Sequence, residues 1–184
     1  MPIAPPLTSV ADALLAEFET QAPVTRRFLD RLPGDKLTWK PHEKSLTAGQ
    51  LALHIALVPG SIVRLVADNP RQARGKFDFP QPAAHIEILE AFDQSIATVR
   101  NELPGYDDDA MKETWRLVQG DRELFSAPRS AILRDLMFSH WYQHRGQFSV
   151  YLRLLNLPVP ASWGPSADEP PLFMQQAHTD AQSS

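Results

Sequence analysis

Three histidines carry the chemistry that this sequence offers. His140 and His144 lie in Ser139-His140-Trp141-Tyr142-Gln143-His144-Arg145-Gly146-Gln147, four residues apart within a long apolar periodicity. On a helix a four-residue step is a rise of about 6 Å with about 40° of rotation, so both rings leave one face and can grip one divalent ion. A third ligand has to come from elsewhere in the fold. His54, in Thr47-Ala48-Gly49-Gln50-Leu51-Ala52-Leu53-His54-Ile55-Ala56, lies on the apolar stripe of another predicted helix. Three neutral imidazoles leave at least one coordination position open, which is the catalytic rather than the closed structural arrangement. Ionisable rings on core-facing stripes each carry a desolvation cost, and a shared ion gives them a common reason to be there. His42, His85 and His178 fall in a loop, at a helix start and near the C-terminus, and read as surface histidines.

Other helix-borne metal chemistries do not match. A zincin-type His-Glu-x-x-His places its general base directly after the first His, where this chain has Trp141. Carboxylate-bridged di-iron bundles use Glu-x-x-His, but the residues three before His54, His140 and His144 are Leu51, Met137 and Trp141. No phosphate-cradling Gly-rich motif and no Gly-x-Ser-x-Gly elbow occurs. Gln50 and Ser61 stand on or near the His54 stripe, either as substrate contacts or as a helix cap and a small packing residue. Arg145 reads either as a contact for a cofactor carboxylate or, since it points away from its histidine neighbour, as one half of a structural ion pair, the second being favoured.

Four amphipathic segments must position these residues. The first runs from about Thr8 to Leu32, with Val10, Leu14, Phe18, Phe28 and Leu32 near one stripe and Pro23 expected to kink or split it. The second runs from about Ala48 to Ala67, where Thr47 and Gln50 form a capping box. Within it, Pro59 takes away the usual donor to the Ile55 carbonyl. The third runs from about Ala83 to Leu103 and ends at Pro104-Gly105. The fourth runs from about Pro128 to Leu155, with Leu133, Met137, His140, His144, Phe148, Tyr151 and Leu155 in line. Poor strand content points to an all-α four-helix bundle. In the long third connection, Thr114–Val118 and Glu123–Phe125 flank Gln119-Gly120-Asp121 and read as a short hairpin or as a loop. One domain is expected over residues 1–174, with residues 175–184 reading as a disordered tail.

The 184 residues include 18 Lys plus Arg and 22 Asp plus Glu, a net charge of −4. That balance argues against nucleic acid or an anionic membrane as the main partner, since both need clustered positive charge. The groups Arg26-Arg27 and Arg71, Arg74 and Lys76 are too short to reverse it. With no cysteine, disulfides, thiolate ligands and a Cys nucleophile are excluded. No apolar run reaches the roughly 18 residues of a membrane span, and the first residues lack a signal-peptide pattern. A soluble cytoplasmic protein is the expectation.

The sequence resembles the DinB/YfiT-like superfamily of metal-binding four-helix bundles. The match is carried by Leu32-Pro33 with Leu37-Thr38-Trp39-Lys40-Pro41 leading into Leu51–Ala56, by His140–Gln147, and by Leu157-Pro158-Val159-Pro160 with Trp163–Glu169. It spans about residues 8 to 169. The resemblance implies that His54, His140 and His144 are the metal triad, that the protein is a homodimer, and that a low-molecular-weight thiol is a candidate cofactor. Several branches of that superfamily are metal-dependent thiol transferases or isomerases; fold alone does not fix the reaction. A three-His site on Zn²⁺ or Ni²⁺ can lower the pKa of a thiol for attack on a small-molecule electrophile, or equally that of water for hydrolysis. A non-catalytic metal-binding bundle stays open as well. Catalytic residues, native metal and substrate are not assigned by these motifs. Phe138 and Trp141, beside the ligands, are expected not to fit the core together, and so to bear partly on the dimer contact; the alternative is packing against the third helix or the long connection.

Overall fold

The computed structural model describes residues 9–73, 75 and 77–175. Four long helical rods form the body. They are α1 (Val10–Leu29), α2 (Ala48–Leu65), α3 (His85–Glu102), and a final rod in which α5 (Arg129–Ile132) runs through a π-helical segment (Leu133–Ser139) into α6 (His140–Leu154). A short helix, α4 (Asp108–Lys112), precedes the last rod. Both α1 and α2 pack chiefly against α3 and α6, so α1 and α2 stand at opposite corners of a four-helix bundle.

The helix signals hold where local chemistry is strong. Ser9 Oγ accepts from Asp12 N at the start of α1, and Thr47 and Gln50 close the expected reciprocal box on α2, at 3.0 and 3.1 Å. Pro23 does not split α1. Ala22, Val24 and Phe28 are buried on either side of it, and their packing carries the helix across one missing hydrogen bond. At its C-terminus, the His85 ring meets the Leu29 carbonyl at 2.9 Å, a carbonyl that also accepts from Leu32 N, and His85 is partly buried.

Pro59 is inside α2, and the consequence drawn from sequence is met by a substitute. The Ile55 carbonyl, deprived of its amide donor, accepts from the indole N–H of Trp141 at 2.9 Å. Trp141 is fully buried, stacks on Phe18 of α1 at 5.7 Å and lies 6.3 Å from Phe92 of α3. One side chain of α6 thus touches all three other rods. Phe138 is equally buried, so the expectation that these two aromatics cannot both face the core is wrong. Residues three apart share one face of a helix, so both can point inward.

At its next residue, α2 meets α3 closely. Gly60 N donates to Ser95 Oγ at 2.8 Å, and a Cβ on Gly60 would lie 3.0 Å from Ser95 Cα. Although α2 is long and apolar enough to cross a membrane, that character goes into the bundle core. Arg26 and Arg27 pair with acidic partners rather than forming a free basic face; Arg74 and Lys76 lie outside the described residues.

The long connection is a hairpin, β2 (Thr114–Gln119) with β3 (Arg122–Pro128), antiparallel and turning at Gly120, whose φ of 59° favours glycine. A two-residue strand absent from the sequence reading, β1 (Arg71–Gln72), adds to β2 in parallel. Two residues fasten this sheet and the last rod to the end of α2. Trp115 Nε1 donates to the Asp68 carbonyl at 2.8 Å, and buried Arg129 reaches the carbonyls of Val66 and Ala110 and the Glu113 carboxylate. Beyond α6 a strap over residues 157–171 is pinned by Asp168 to Arg153 and by Glu169 to Arg27 and Arg31. Residues 172–175 close a helical turn, so Gln175 is ordered; the remainder of the expected tail lies outside the described residues.

Candidate metal centre

Each ligand is aimed by a different local device. His54 sits in the second turn of α2, whose start is fixed by the capping box. His140 is the first residue of α6 and His144 follows one turn later. Trp141 holds α6 against the Ile55 carbonyl, next in chain to His54, so one hydrogen bond sets the distance between the two ligand-bearing helices.

The three rings converge. His140 Nε2 lies 3.3 Å from His54 Nε2 and 2.7 Å from His144 Nε2, and the three candidate ligand atoms all fall within 4.8 Å of one another. Small side-chain rotations bring that spacing to the about 2.0–2.1 Å bonds of an imidazole–zinc site. The group holds three imidazoles and no carboxylate or thiol.

The outward nitrogens explain why a cation belongs between the inward ones. His144 Nδ1 donates to Gln147 Oε1 at 3.0 Å, which leaves its Nε2 as a bare lone pair. The His140 backbone N–H bonds Asp135, five residues back, in the π-helical pattern. The Leu136 carbonyl, which an α-helix would have given to that N–H, instead hydrogen-bonds the His140 imidazole. With Nε2 turned to its neighbours, Nδ1 is the donor, and His140 too presents a lone pair. Two acceptors 2.7 Å apart repel unless a proton or a metal ion lies between them. Protons are disfavoured. Burial first, then the charges of His144 and His140, push His54 down to about 4. Burial and the His144 charge also lower His140, against the Leu136 carbonyl, which raises it. A divalent ion satisfies all three lone pairs, and the donor set fits a borderline metal such as Zn²⁺ or Ni²⁺.

One wall of the centre is Phe79, edge-on to His54 with centroids 5.2 Å apart. Gln50 fixes that wall. While its Oε1 completes the cap, its Nε2 donates to the Phe79 carbonyl at 2.8 Å, so Gln50 is a scaffold residue rather than a substrate contact. Ser61 lines a shallow groove between α2 and α3 with Gln94 and Ser95. His42 remains on the surface, as expected, and His178 lies outside the described residues. Sequence reasoning did not single out Gln147 or the Leu136 carbonyl. Gln147, three residues after His144, was within reach of a search for groups that orient the ligands. The Leu136 carbonyl was not, because only the π-helical register frees it.

Arg145 is a correction. It is 8 % exposed, donates to Thr25 Oγ1 at 3.2 Å and lies over the Tyr142 ring at 5.1 Å. No carboxylate among the described residues pairs with it, so the expected ion pair is not formed.

Comparison with known proteins bears on the family and the fold. A family model described as the DinB family matches residues 7–171. A curated relative, the uncharacterized protein YrdA of Bacillus subtilis (strain 168), is 27 % identical over 159 residues, covering 86 % of this chain and 90 % of its own. Among solved structures, a DinB-like protein from Bacillus cereus ATCC 10987 superposes with a TM-score of 0.66 at 21 % identity, covering 85 % of this chain and 99 % of that one. A second, the DinB-like protein YjoA from Bacillus subtilis, gives 0.60 at 18 %, covering 80 % and 96 %.

Proposed function

The chain belongs to the DinB family, and from that premise we propose that it binds one divalent metal ion, Zn²⁺ or Ni²⁺, through His54, His140 and His144 and uses it on a small-molecule substrate. The observation that carries the reading is the convergence of three imidazole nitrogens, with no cysteine or carboxylate joining the group among the described residues. A bound ion supplies a Lewis acid that lowers the pKa of a thiol or of water. The protein's own part is to bring the three rings together, to orient the His144 ring through Gln147 and to wall one side with Phe79.

Thiol transfer or isomerisation, with a low-molecular-weight thiol bringing the sulfur, is the reading that the family resemblance favours. Hydrolysis of most substrates also needs a general base, and the convergent group contains no carboxylate. A non-catalytic metal-binding bundle is the contrasting reading. Metal analysis of the protein purified from its native source, followed by a screen of thiols with electrophiles, separates the two. The expected result is one ion per chain and a thiol-dependent turnover that chelation abolishes; bound metal with no turnover for any thiol pair favours the non-catalytic bundle.

A cytoplasmic homodimer that engages neither nucleic acid nor membrane completes the proposal. The family resemblance, the absence of cysteine and the acidic balance support it. Exposed Val150 and Leu154, one turn apart on α6, offer an apolar contact face; the buried Phe138 and Trp141 do not. Sedimentation at micromolar concentration tests it, and a species of monomer mass alone contradicts the dimer.

A further inference from the structure

Arg145 stands in the same motif as the ligands, yet the metal centre does not use it. It lines a cleft of about 490 Å³ between α6 and the strap, and none of the three histidines borders that cleft. Arg145 as a whole is 8 % exposed. One of its five donor hydrogens goes to Thr25, and no acidic side chain among the described residues answers its charge. Buried charges are ordinarily paired, because desolvating an ion without a counter-ion is costly. The other cations nearby are paired: Arg153 with Asp168, and Arg27 and Arg31 with Glu169. Arg145 is the one cleft cation among the described residues left without an anion.

A second observation concerns the neighbouring residue. Gly146 lies inside α6, where glycine is less favourable than alanine. A glycine there usually has a packing reason, but a Cβ at this position would meet no atom within 4 Å. The absent side chain leaves open the cleft beside Arg145. Its other walls mix hydroxyls, Ser149, Ser162 and Ser166, with apolar Phe28, Val150 and Val159.

We propose that this cleft binds a small organic carboxylate, its carboxyl on Arg145 and its apolar body over Gly146 against Phe28 and Val159. A single unpaired guanidinium matches one negative charge, and its planar fork suits a carboxylate. The volume admits a molecule of metabolite size. The site is separate from the metal centre and does not depend on it.

Benzoate is the probe, titrated by calorimetry into the metal-loaded full chain, with benzyl alcohol and inorganic phosphate as comparisons. A ligand of that size is expected to bind with a Kd of about 1 mM. Benzyl alcohol, lacking the charge, should bind at least about 10-fold more weakly. Gly146→Leu, whose Cβ would meet no atom within 4 Å and whose remaining carbons would occupy the opening, should weaken benzoate by a similar factor while leaving metal stoichiometry unchanged. Arg145→Gln should do the same, and Gly146→Leu decides the matter if that variant does not fold. Failure of benzoate to saturate, equal binding of benzyl alcohol, or unchanged affinity in Gly146→Leu would overturn the proposal. The last result would also expose binding at the metal ion itself. Phosphate binding where benzoate does not would overturn the assignment to carboxylates.

Discussion

The outer nitrogens of His144 and His140 decide how well the two rings would serve as ligands. Gln147 holds the His144 ring by Nδ1, and partners of this kind are commonly worth 10–100-fold in metal affinity. Gln147→Leu should therefore weaken Zn²⁺ binding by about 10-fold or more with little loss of fold; an unchanged affinity by calorimetry would mean that the helix alone orients the ring. His54 makes a second prediction, for the metal-free protein. Its folded-state pKa, about 4, lies below the ordinary value of 6.5. Between those values the unfolded chain binds more protons, so stability rises with pH across that window. The contribution is complete above 6.5 and is lost as pH falls toward 4. Urea unfolding of chelated protein at about pH 7 and about pH 5 should show the loss, and His54→Gln should reduce it. The same pH dependence in both proteins would assign it to other groups. At this scale the three ligands were legible, because His spacing on predicted stripes is a sequence property. Arg145 was misread because its neighbours in space, Thr25 and Tyr142, are set by how α1 and α6 face each other. Periodicity does not carry that facing.

Between elements, the join of α2 to α6 decides whether the ligands meet. Pro59 removes the amide donor of the Ile55 carbonyl and Trp141 replaces it. Trp141→Phe keeps most of the packing but leaves that carbonyl buried without a partner, a loss of about 1–3 kcal/mol. Pro59→Ala restores the amide donor, so the cost of Trp141→Phe should shrink in that background. A double-mutant cycle by urea denaturation measures the coupling, and a coupling of zero would contradict the exchange of donors. Gly60→Ala tests the opposite face of α2. The added methyl meets Ser95 at 3.0 Å, and overpacking of this kind costs about 1–3 kcal/mol. A variant as stable as the parent would show that α3 can retreat. All four rods were readable from apolar period, whereas the turn residues left hairpin and loop both open for the long connection. The π-helical stretch was not, since its side chains keep an ordinary helical composition and only the hydrogen-bond register differs. The strand β1 is two residues long and owes its existence to β2, which no local pattern announces.

For the whole molecule, the bundle serves to bring residue 54 to residues 140 and 144 and to hold three lone pairs in one place at the cost of their mutual repulsion. An ion that binds only the folded chain must then stabilise it, by an amount that grows with ion concentration above Kd. The DinB-like structures at 18–21 % identity share the fold; the centre is a property of this chain's own histidines. Calorimetric titration of Zn²⁺ or Ni²⁺ into metal-free protein tests the centre most directly, on the parent and on His54→Ala, His140→Ala and His42→Ala. The account predicts one ion per chain, severe loss of affinity in the first two variants, and parental affinity in His42→Ala, whose ring sits on the surface away from the cluster. Equal weakening in all three, or undiminished binding in His54→Ala, would contradict it.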